Sequence, residues 1–293
     1  MSSGSVKFTG KDLHMKHFVI HLKDHFPILG ENEKDPYVEA FLPTNMDIDK
    51  CREAKRPCLV ILPGGGYTRI SPRESEPLAL DFFSLGYHIF ILHYTPGPEH
   101  NFPTQLREVA AVMELIHANT NNWLCDAEHV AIMGFSAGGH LAAHYSNSYD
   151  LPQIREIFPD SHGVQACILG YPVISADPAI AHFGSFRSLT GKELLSEEDI
   201  AFYSCEKLVT SKTPPTFLWH TAADQLVPVA HSIVYASALA DHKIPFEVHI
   251  FPFVRHGLGN VKNDPAKIIP PEAFPNRQWL DLARSWLLAT FAE

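Results

Sequence analysis

The chain has 293 residues, 45% apolar and 19% charged, a balance that supports a sizeable packed core and excludes a disordered chain. Its 23 Lys+Arg against 33 Asp+Glu leave a formal net charge of −10, which argues against nucleic acid or an anionic membrane surface as the main partner, since both select clustered positive charge. No apolar run approaches the ~18 residues that span a bilayer, and the polar start Met1-Ser2-Ser3-Gly4-Ser5 has no apolar signal core behind it. Cys51, Cys58, Cys125, Cys167 and Cys205 are odd in number and scattered, without a Cys-x-x-Cys pair. They predict reduced thiols in a cytoplasmic protein rather than a disulfide frame or a zinc site.

In chain order, short β-branched apolar runs alternate with stretches of helical period. Strands are predicted at 17–22, 37–42, 58–62, 88–93, 129–133, 166–170, 216–220 and 246–251. Near the first of them His14, His17, His21 and His25 have a spacing that would align metal ligands on a helix. Phe18, Val19, Ile20 and Leu22 instead predict a strand, whose alternation would split the set between faces, so no metal site is expected. A helix is predicted over 105–118, with Leu106, Val109, Val112, Met113 and Ile116 on one face. Others are predicted from Ala137 to Tyr145, from Val229 to Leu239 and from Arg277 to Phe291, the last striped by Trp279, Leu282, Ala283, Trp286 and Leu287. Fully apolar strands alternating with helices predict an α/β fold, a mostly parallel central sheet with helices on both faces. The first two strands have no predicted helix between them and are expected to form an antiparallel N-terminal edge. No repeat, linker or low-complexity run divides 1–293, which predicts a single domain. Segment 175–213 breaks the rhythm, with one helical stretch from Ser196 to Leu208, and reads either as a cap-like insertion or as a long loop.

The strongest chemical signal is Gly134-Phe135-Ser136-Ala137-Gly138-Gly139, a Gly-x-Ser-x-Gly motif between a predicted strand and a predicted helix. In that context the motif forms a nucleophile elbow, a strained turn that lifts Ser136 above the sheet, while the flanking glycines let neighbouring backbones pass. A tightly packed or phosphate-binding turn is the alternative. Pro63-Gly64-Gly65-Gly66-Tyr67 follows the apolar strand 58–62 and leaves its N–H groups unobstructed, as an oxyanion hole requires. No Gly-Lys-Ser/Thr follows it, so a nucleotide-binding loop is unsupported. A serine in this setting needs an Asp or Glu and then a His further along the chain. Asp224 follows strand 216–220, and His256 lies after strand 246–251 and before the last helix. An aspartate that only caps the helix from Val229 is the plainer reading of Asp224. Among 18 histidines position selects His256: His249 is inside a strand, and His231 and His242 flank a helix. His140 follows the elbow and is expected to pack beneath it, while His88, His93 and His220 sit at strand ends, in pocket or core.

These residues resemble the α/β-hydrolase fold, and more narrowly the bacterial carboxylesterases grouped with acetyl esterases and acetylxylan esterases. The likeness runs over 35–291 and is carried by Pro63-Gly-Gly-Gly-Tyr67, Gly134-Phe-Ser-Ala-Gly-Gly-His-Leu-Ala142, Thr213-Pro-Pro-Thr-Phe-Leu-Trp-His220 leading to Asp224 and Val227-Pro228, and Phe251-Pro with His256-Gly257. It implies Ser136 as nucleophile, Asp224 as orienting carboxylate and His256 as base, with the N–H groups of Gly65, Gly66 and Ala137 as oxyanion hole and no metal or organic cofactor. The chain departs from many relatives of the hormone-sensitive-lipase type. Pro63 stands where they have His, Tyr94-Thr95-Pro96-Gly97-Pro98 stands where they read Tyr-Arg, and the acidic residue early in the next helix is present only as a displaced Glu108. These departures bear on the acyl-pocket wall and on loop bracing. Bulky Tyr67, Tyr94 and Phe135 near the expected pocket suggest a short acyl group. The charges Asp177, Arg187, Lys192, Glu193, Glu197, Glu198 and Asp199 suit a small or sugar-like ester, or else form an ordinary solvated face. The expected partner is thus a small-molecule ester, an acylated sugar included, with homo-oligomerisation left open. Two rivals stay open: an amide-cleaving hydrolase of arylformamidase or peptidase kind with the same triad, and a non-catalytic binding module on the same scaffold.

Overall fold

A run such as Cys58-Leu-Val-Ile-Leu62 is stable as a strand only when apolar layers cover both of its faces, and the architecture supplies them. The computed structural model describes residues 15–30, 35–44, 54–97, 102–260 and 276–292. Among these, one sheet contains β1 (Lys16–His21), β2 (Tyr37–Leu42), β3 (Arg56–Leu62), β4 (His88–His93), β5 (Cys125–Phe135), β6 (Ala166–Gly170), β7 (Thr216–Thr221) and β8 (Phe246–Phe251). Their spatial order is β1-β2-β4-β3-β5-β6-β7-β8. β2 runs antiparallel to both β1 and β4, and every later pairing is parallel. The predicted α/β class and its antiparallel N-terminal edge are both present.

The α-helices among the described residues are α1 (Leu22–His25), α2 (Glu76–Phe83), α3 (Thr104–Ala118), α4 (Ala137–Ser148), α5 (Pro152–Arg155), α6 (Phe183–Thr190), α7 (Glu197–Tyr203), α8 (Ala230–Asp241) and α9 (Gln278–Thr290). They cover the sheet from two sides. Val60 and Leu62 of β3 pack with Val109 of α3, Leu141 of α4 and Leu239 of α8, whereas Leu59 and Ile61 pack with Phe82 of α2 and Trp279 of α9. Strand alternation thus divides one buried run between two cores. The edge strand β8 instead alternates exposed and half-buried residues, as a strand with one open side does.

Most predicted elements fall within a residue or two of the observed ones. β5 starts four residues earlier than 129, because Cys125 and Asp126 pair with Arg56 and Pro57 ahead of a bulge. The stretch 196–208 divides into α7 and a 3-10 turn at Cys205–Leu208, broken where the extended Ser204 accepts the Ala176 N–H through its hydroxyl. Among the described residues a helical turn, α1, and a 3-10 turn at Pro27–Gly30 intervene between β1 and β2 without altering their antiparallel pairing. Of the N-terminal histidines, His14 lies outside the described residues, and His17 and His21, four positions apart on a strand, share the exposed side of β1. His17 stacks on Phe41, and His21 meets the Asp35 carboxylate at 2.6 Å. Cys58, Cys125, Cys167 and Cys205 are buried and free; Cys51 lies outside the described residues. No helix among the described residues is long and apolar enough to cross a membrane.

The end of β4 is pinned from α3. Glu108 accepts the Thr95 N–H at 2.8 Å, and Gln105 donates its amide to the Thr95 carbonyl at 2.8 Å. Burial pushes the Glu108 carboxyl up to about 7, against the opposing pull of the Thr95 hydrogen bonds. A carboxyl that holds its proton more tightly when folded contributes most stability below the ordinary carboxylate range, and that contribution is lost as pH rises through about 7. Glu108→Gln keeps an acceptor for Thr95 and removes the titration. Relative to the wild type it is expected to gain on the order of 1–3 kcal/mol in stability between pH 5 and pH 8.5. Urea denaturation at the two pH values checks this, and an equal difference at both would refute it.

Candidate active site

Between the last residue of β5 and the first of α4, the Ser136 backbone adopts φ 53 and ψ −119, left-handed for a residue with a side chain. Such a conformation costs on the order of 1–3 kcal/mol and persists only where its surroundings over-determine it. Here the Ser136 N–H donates to the Gly170 carbonyl at 3.1 Å, and its own carbonyl accepts from Val173 at 3.0 Å and His140 at 3.1 Å. The motif glycines have a steric reason. A Cβ on Gly134 would lie 2.2 Å from the Gly138 carbonyl oxygen, and one on Gly138 would lie 2.1 Å from that of Leu62. Only bare backbone lets β5, α4 and the end of β3 approach this closely.

The glycine loop after β3 abuts the serine: the Cβ position of Gly64 is 2.9 Å from the Ser136 Cβ. Gly65 and Gly66 have φ 131 and φ 65, and Tyr67 follows at φ 59. Tyr67, Tyr94 and Phe135 are buried to 0–1% exposure, so the two hydroxyls face protein partners rather than solvent. The Tyr94 hydroxyl donates to the Pro63 carbonyl at 2.7 Å, and that of Tyr67 meets His140 Nδ1 at 2.8 Å. Both brace the loop from behind. Tyr94 also lines a recess of about 280 Å³ with Tyr37, Ile70 and His93. His140 is fully buried, its Nε2 2.8 Å from the Tyr203 carbonyl, and burial lowers it to about 4 against the pull of that carbonyl. It is therefore neutral at neutral pH: Nε2–H donates to Tyr203, and Nδ1 accepts from Tyr67.

The three residues singled out along the chain meet beside this loop. His256 Nε2 lies 2.8 Å from Ser136 Oγ, and His256 Nδ1 lies 2.6 Å from Asp224 Oδ2. The Asp224 side chain is 0% exposed and that of His256 12%, so only the imidazole edge reaches solvent. Burial by itself raises the Asp224 carboxyl. Hydrogen bonds from His220, His256 and the Val227 N–H outweigh it and hold the group well below the usual carboxylate range. Asp224 Oδ1 also accepts the Leu226 N–H at 2.9 Å, so the carboxylate is fixed in orientation as well as in charge. A serine, an imidazole and a buried carboxylate in one hydrogen-bonded line can remove a proton from the serine hydroxyl.

The other strand-end histidines divide by position. His88, at the N-terminal end of β4 and so at the opposite edge of the sheet, bonds the Leu124 carbonyl at 3.2 Å. His93 stacks on Tyr37 at 4.2 Å at the rim of the recess. His220 is fully buried against Ser232 and comes within 3.3 Å of Asp224 Oδ2, so it supports the carboxylate. Buried His231 accepts the Ile174 and Ser175 N–H groups, and His249 faces Glu247 at 2.6 Å.

Sequence reasoning missed His182, at the N-cap of α6. Burial lowers it first, and the proximity of His256 lowers it further, so the segment 175–213 reaches the surroundings of the site. It missed Glu74 and Tyr171 as well. Only a fold shows that a carboxylate ahead of α2 and a tyrosine after β6 touch the two loops around the serine.

The BD-FAE family profile matches residues 46–239. The chain is 37% identical over 222 residues to endo-1,4-beta-xylanase B of Butyrivibrio fibrisolvens, covering 72% of this chain and 34% of that protein. It is 32% identical over 206 residues to the acetylxylan esterase of Xylanibacter ruminicola, covering 69% of this chain and 41% of the relative. The chain therefore spans about a third to two-fifths of the length of these two relatives. The solved acetyl ester-xyloside bifunctional hydrolase of Caldicellulosiruptor lactoaceticus superposes with a TM-score of 0.78 at 32% identity, over 93% of this chain and 96% of that one. By profile, sequence and fold, the chain belongs to the BD-FAE family and has the α/β-hydrolase fold.

Proposed function

We propose that the chain hydrolyses short-acyl esters, acetylated sugars among them, with Ser136 as nucleophile, His256 as general base and acid, and Asp224 as the orienting carboxylate. The observation that carries this reading is the unbroken line from Ser136 Oγ through His256 to Asp224, at 2.8 and 2.6 Å, in front of a glycine loop. His256 takes the serine proton as the hydroxyl attacks the ester carbonyl, and Asp224 stabilises the imidazolium that results. The N–H groups of Gly65, Gly66 and Ala137 receive the oxyanion. Ala137 is suited to this because it opens α4, where the first N–H groups have no intrahelical partner. Each such donor is worth on the order of 3 kcal/mol in the transition state. His256 then protonates the leaving alcohol and activates water to free the acid.

The short acyl preference is supported by the bulk of Tyr67 and Tyr94, buried against the glycine loop through His140 and the Pro63 carbonyl, and of Phe135, which adjoins Ser136 and packs on Tyr171 and Trp279. The acetylated-sugar reading is supported by relatives named for acetylxylan and acetyl ester-xyloside substrates. In this reading 175–213 is a cap-like insertion on a single domain, shaping the leaving-group side near His182. Four buried free thiols are consistent with a cytoplasmic setting.

Triad members act as a unit, so their removal is expected to be strongly non-additive. Ser136→Ala and His256→Ala should each abolish ester turnover, and the double variant should be little worse than either. Asp224→Asn should lose up to ~10⁴-fold by favouring the wrong imidazole tautomer. Steady-state rates with p-nitrophenyl acetate check the cycle. His256→Ala retaining more than about a tenth of the wild-type rate, a loss under ~1.4 kcal/mol, would place the base elsewhere.

A second expectation concerns length. A roomy apolar pocket would gain up to ~0.8 kcal/mol for each added methylene. Here kcat/KM should peak between acetyl and butyryl and fall at octanoyl, in a p-nitrophenyl ester series run beside acetylated xylo-oligosaccharides and a formyl amide. A rise through octanoyl rejects the short-acyl reading, and preference for the amide rejects the ester.

A further inference from the structure

We propose that Glu74 is a positioning residue for this site, its carboxylate tying the glycine loop in front of Ser136 to the loop that carries His256 by way of the Tyr171 hydroxyl. The inference rests on the Ser136 reading above and adds two residues that the motifs do not contain.

Glu74 ends the short 3-10 turn Pro72–Glu74 and is 3% exposed. Its Oε2 accepts the Gly64 N–H at 2.8 Å, and its Oε1 accepts the Tyr171 hydroxyl at 2.7 Å. The Tyr171 oxygen in turn accepts the Gly259 N–H at 2.8 Å. The Tyr171 ring stands edge-on to the His256 ring, with centroids 4.9 Å apart and planes at 68°. Arg73, the residue before Glu74, donates to the Gly257 carbonyl at 3.1 Å. One short turn therefore holds the glycine loop on one side and the residues just after His256 on the other.

Two features separate this arrangement from ordinary packing. A carboxylate out of water is expensive even when hydrogen-bonded, and an apolar side chain would fill the same space at lower cost. Tyr171, moreover, is held at φ 36, where a bulky side chain is an outlier. The strained Tyr171 is hydrogen-bonded to this buried carboxyl, which lies behind the serine: the Gly64 Cβ position is 2.7 Å from Glu74 Oε2 and 2.9 Å from the Ser136 Cβ. Because Glu74 takes the Gly64 N–H, that peptide is fixed in rotation and the following N–H groups, of Gly65 and Gly66, are set relative to the serine. Through Tyr171 the same carboxylate sets the distance from those donors to the imidazole. Such a link acts on the transition state, where a misplacement of about 1 Å can cost ~100-fold in rate, and hardly on substrate binding.

Glu74→Gln keeps the shape but leaves one acceptor oxygen for two donors, and Tyr171→Phe removes only the hydroxyl. The experiment measures kcat and KM for an acetyl ester, with active sites counted by exhaustive organophosphonate labelling of Ser136 and folding followed by thermal melts. Glu74→Gln is expected to lower kcat per labelled site ~100-fold with KM within about threefold, and Tyr171→Phe ~10-fold in the same manner. The double variant should fall no more than about threefold below Glu74→Gln, since both act through one contact. A Glu74→Gln kcat per labelled site within threefold of wild type overturns the proposal. So do losses that multiply in the double variant, or an effect confined to KM. Should Glu74→Gln fail to fold, Tyr171→Phe decides by the same threefold criterion. A wild type without ester turnover, or an active Ser136→Ala, sinks the hydrolase reading and this inference with it. An active wild type and a dead Ser136→Ala beside an unimpaired Glu74→Gln sink this inference alone.

Discussion

The backbone of Ser136 stays at φ 53 only because β5, α4 and the end of β3 pass closer there than any side chain would permit. Replace the hydrogens of Gly134 or Gly138 by methyl groups and carbonyl oxygens would sit near 2 Å from carbon. This close approach presents the serine hydroxyl above the parallel strands. It also brings the N-terminus of α4 beside the glycine loop, which follows β3, the strand hydrogen-bonded next to β5. The strain is balanced by main-chain hydrogen bonds to Gly170, Val173 and His140, the first at the end of β6 and the second just after it. The site thus depends on the sheet's register as much as on the motif.

Three buried carboxylates near this end of the sheet show how environment assigns different work to one chemical group. Asp224 is surrounded by donors, His220, His256 and the Val227 N–H, that outweigh its burial and keep it ionised. Glu108 has few donors in an apolar setting and holds its proton up to about 7, a structural clamp on the strand end. Glu74 offers both oxygens to donors that belong to separate loops. Only the first is connected to the serine through an imidazole.

The polar network also reaches the segment 175–213. Tyr67, in the glycine loop, meets His140; His140 donates to the Tyr203 carbonyl; and Phe186 of α6 packs edge-on to the same imidazole at 5.3 Å. Burial keeps His140 neutral, so this relay of hydrogen bonds holds one tautomer across neutral pH. Loop, helix α4 and segment 175–213 are joined there through hydrogen bonds and ring packing, while the segment's charges pair at the surface, Lys192 with Asp199 and Arg187 with Glu193.

Much of this was legible in the chain itself. The apolar runs at 58–62 and 166–170 and the helical stripe at 105–118 carry their own period, so local burial determined them. Gly-x-Ser-x-Gly, the preceding glycine loop and the order of Ser136, Asp224 and His256 are likewise linear facts, since strand ends of a parallel sheet gather on one edge. Other features required tertiary structure. That His220 supports Asp224, that Tyr67 and Tyr94 brace a loop from behind, and that His182 nears His256 all depend on contacts between distant segments. Glu74 and Tyr171 are 97 positions apart and neither lies in a periodic or motif-like setting. No local pattern marks such a pair, because a hydrogen bond between two loops is determined by how the strands beneath them are ordered, and that order is a property of the assembled sheet.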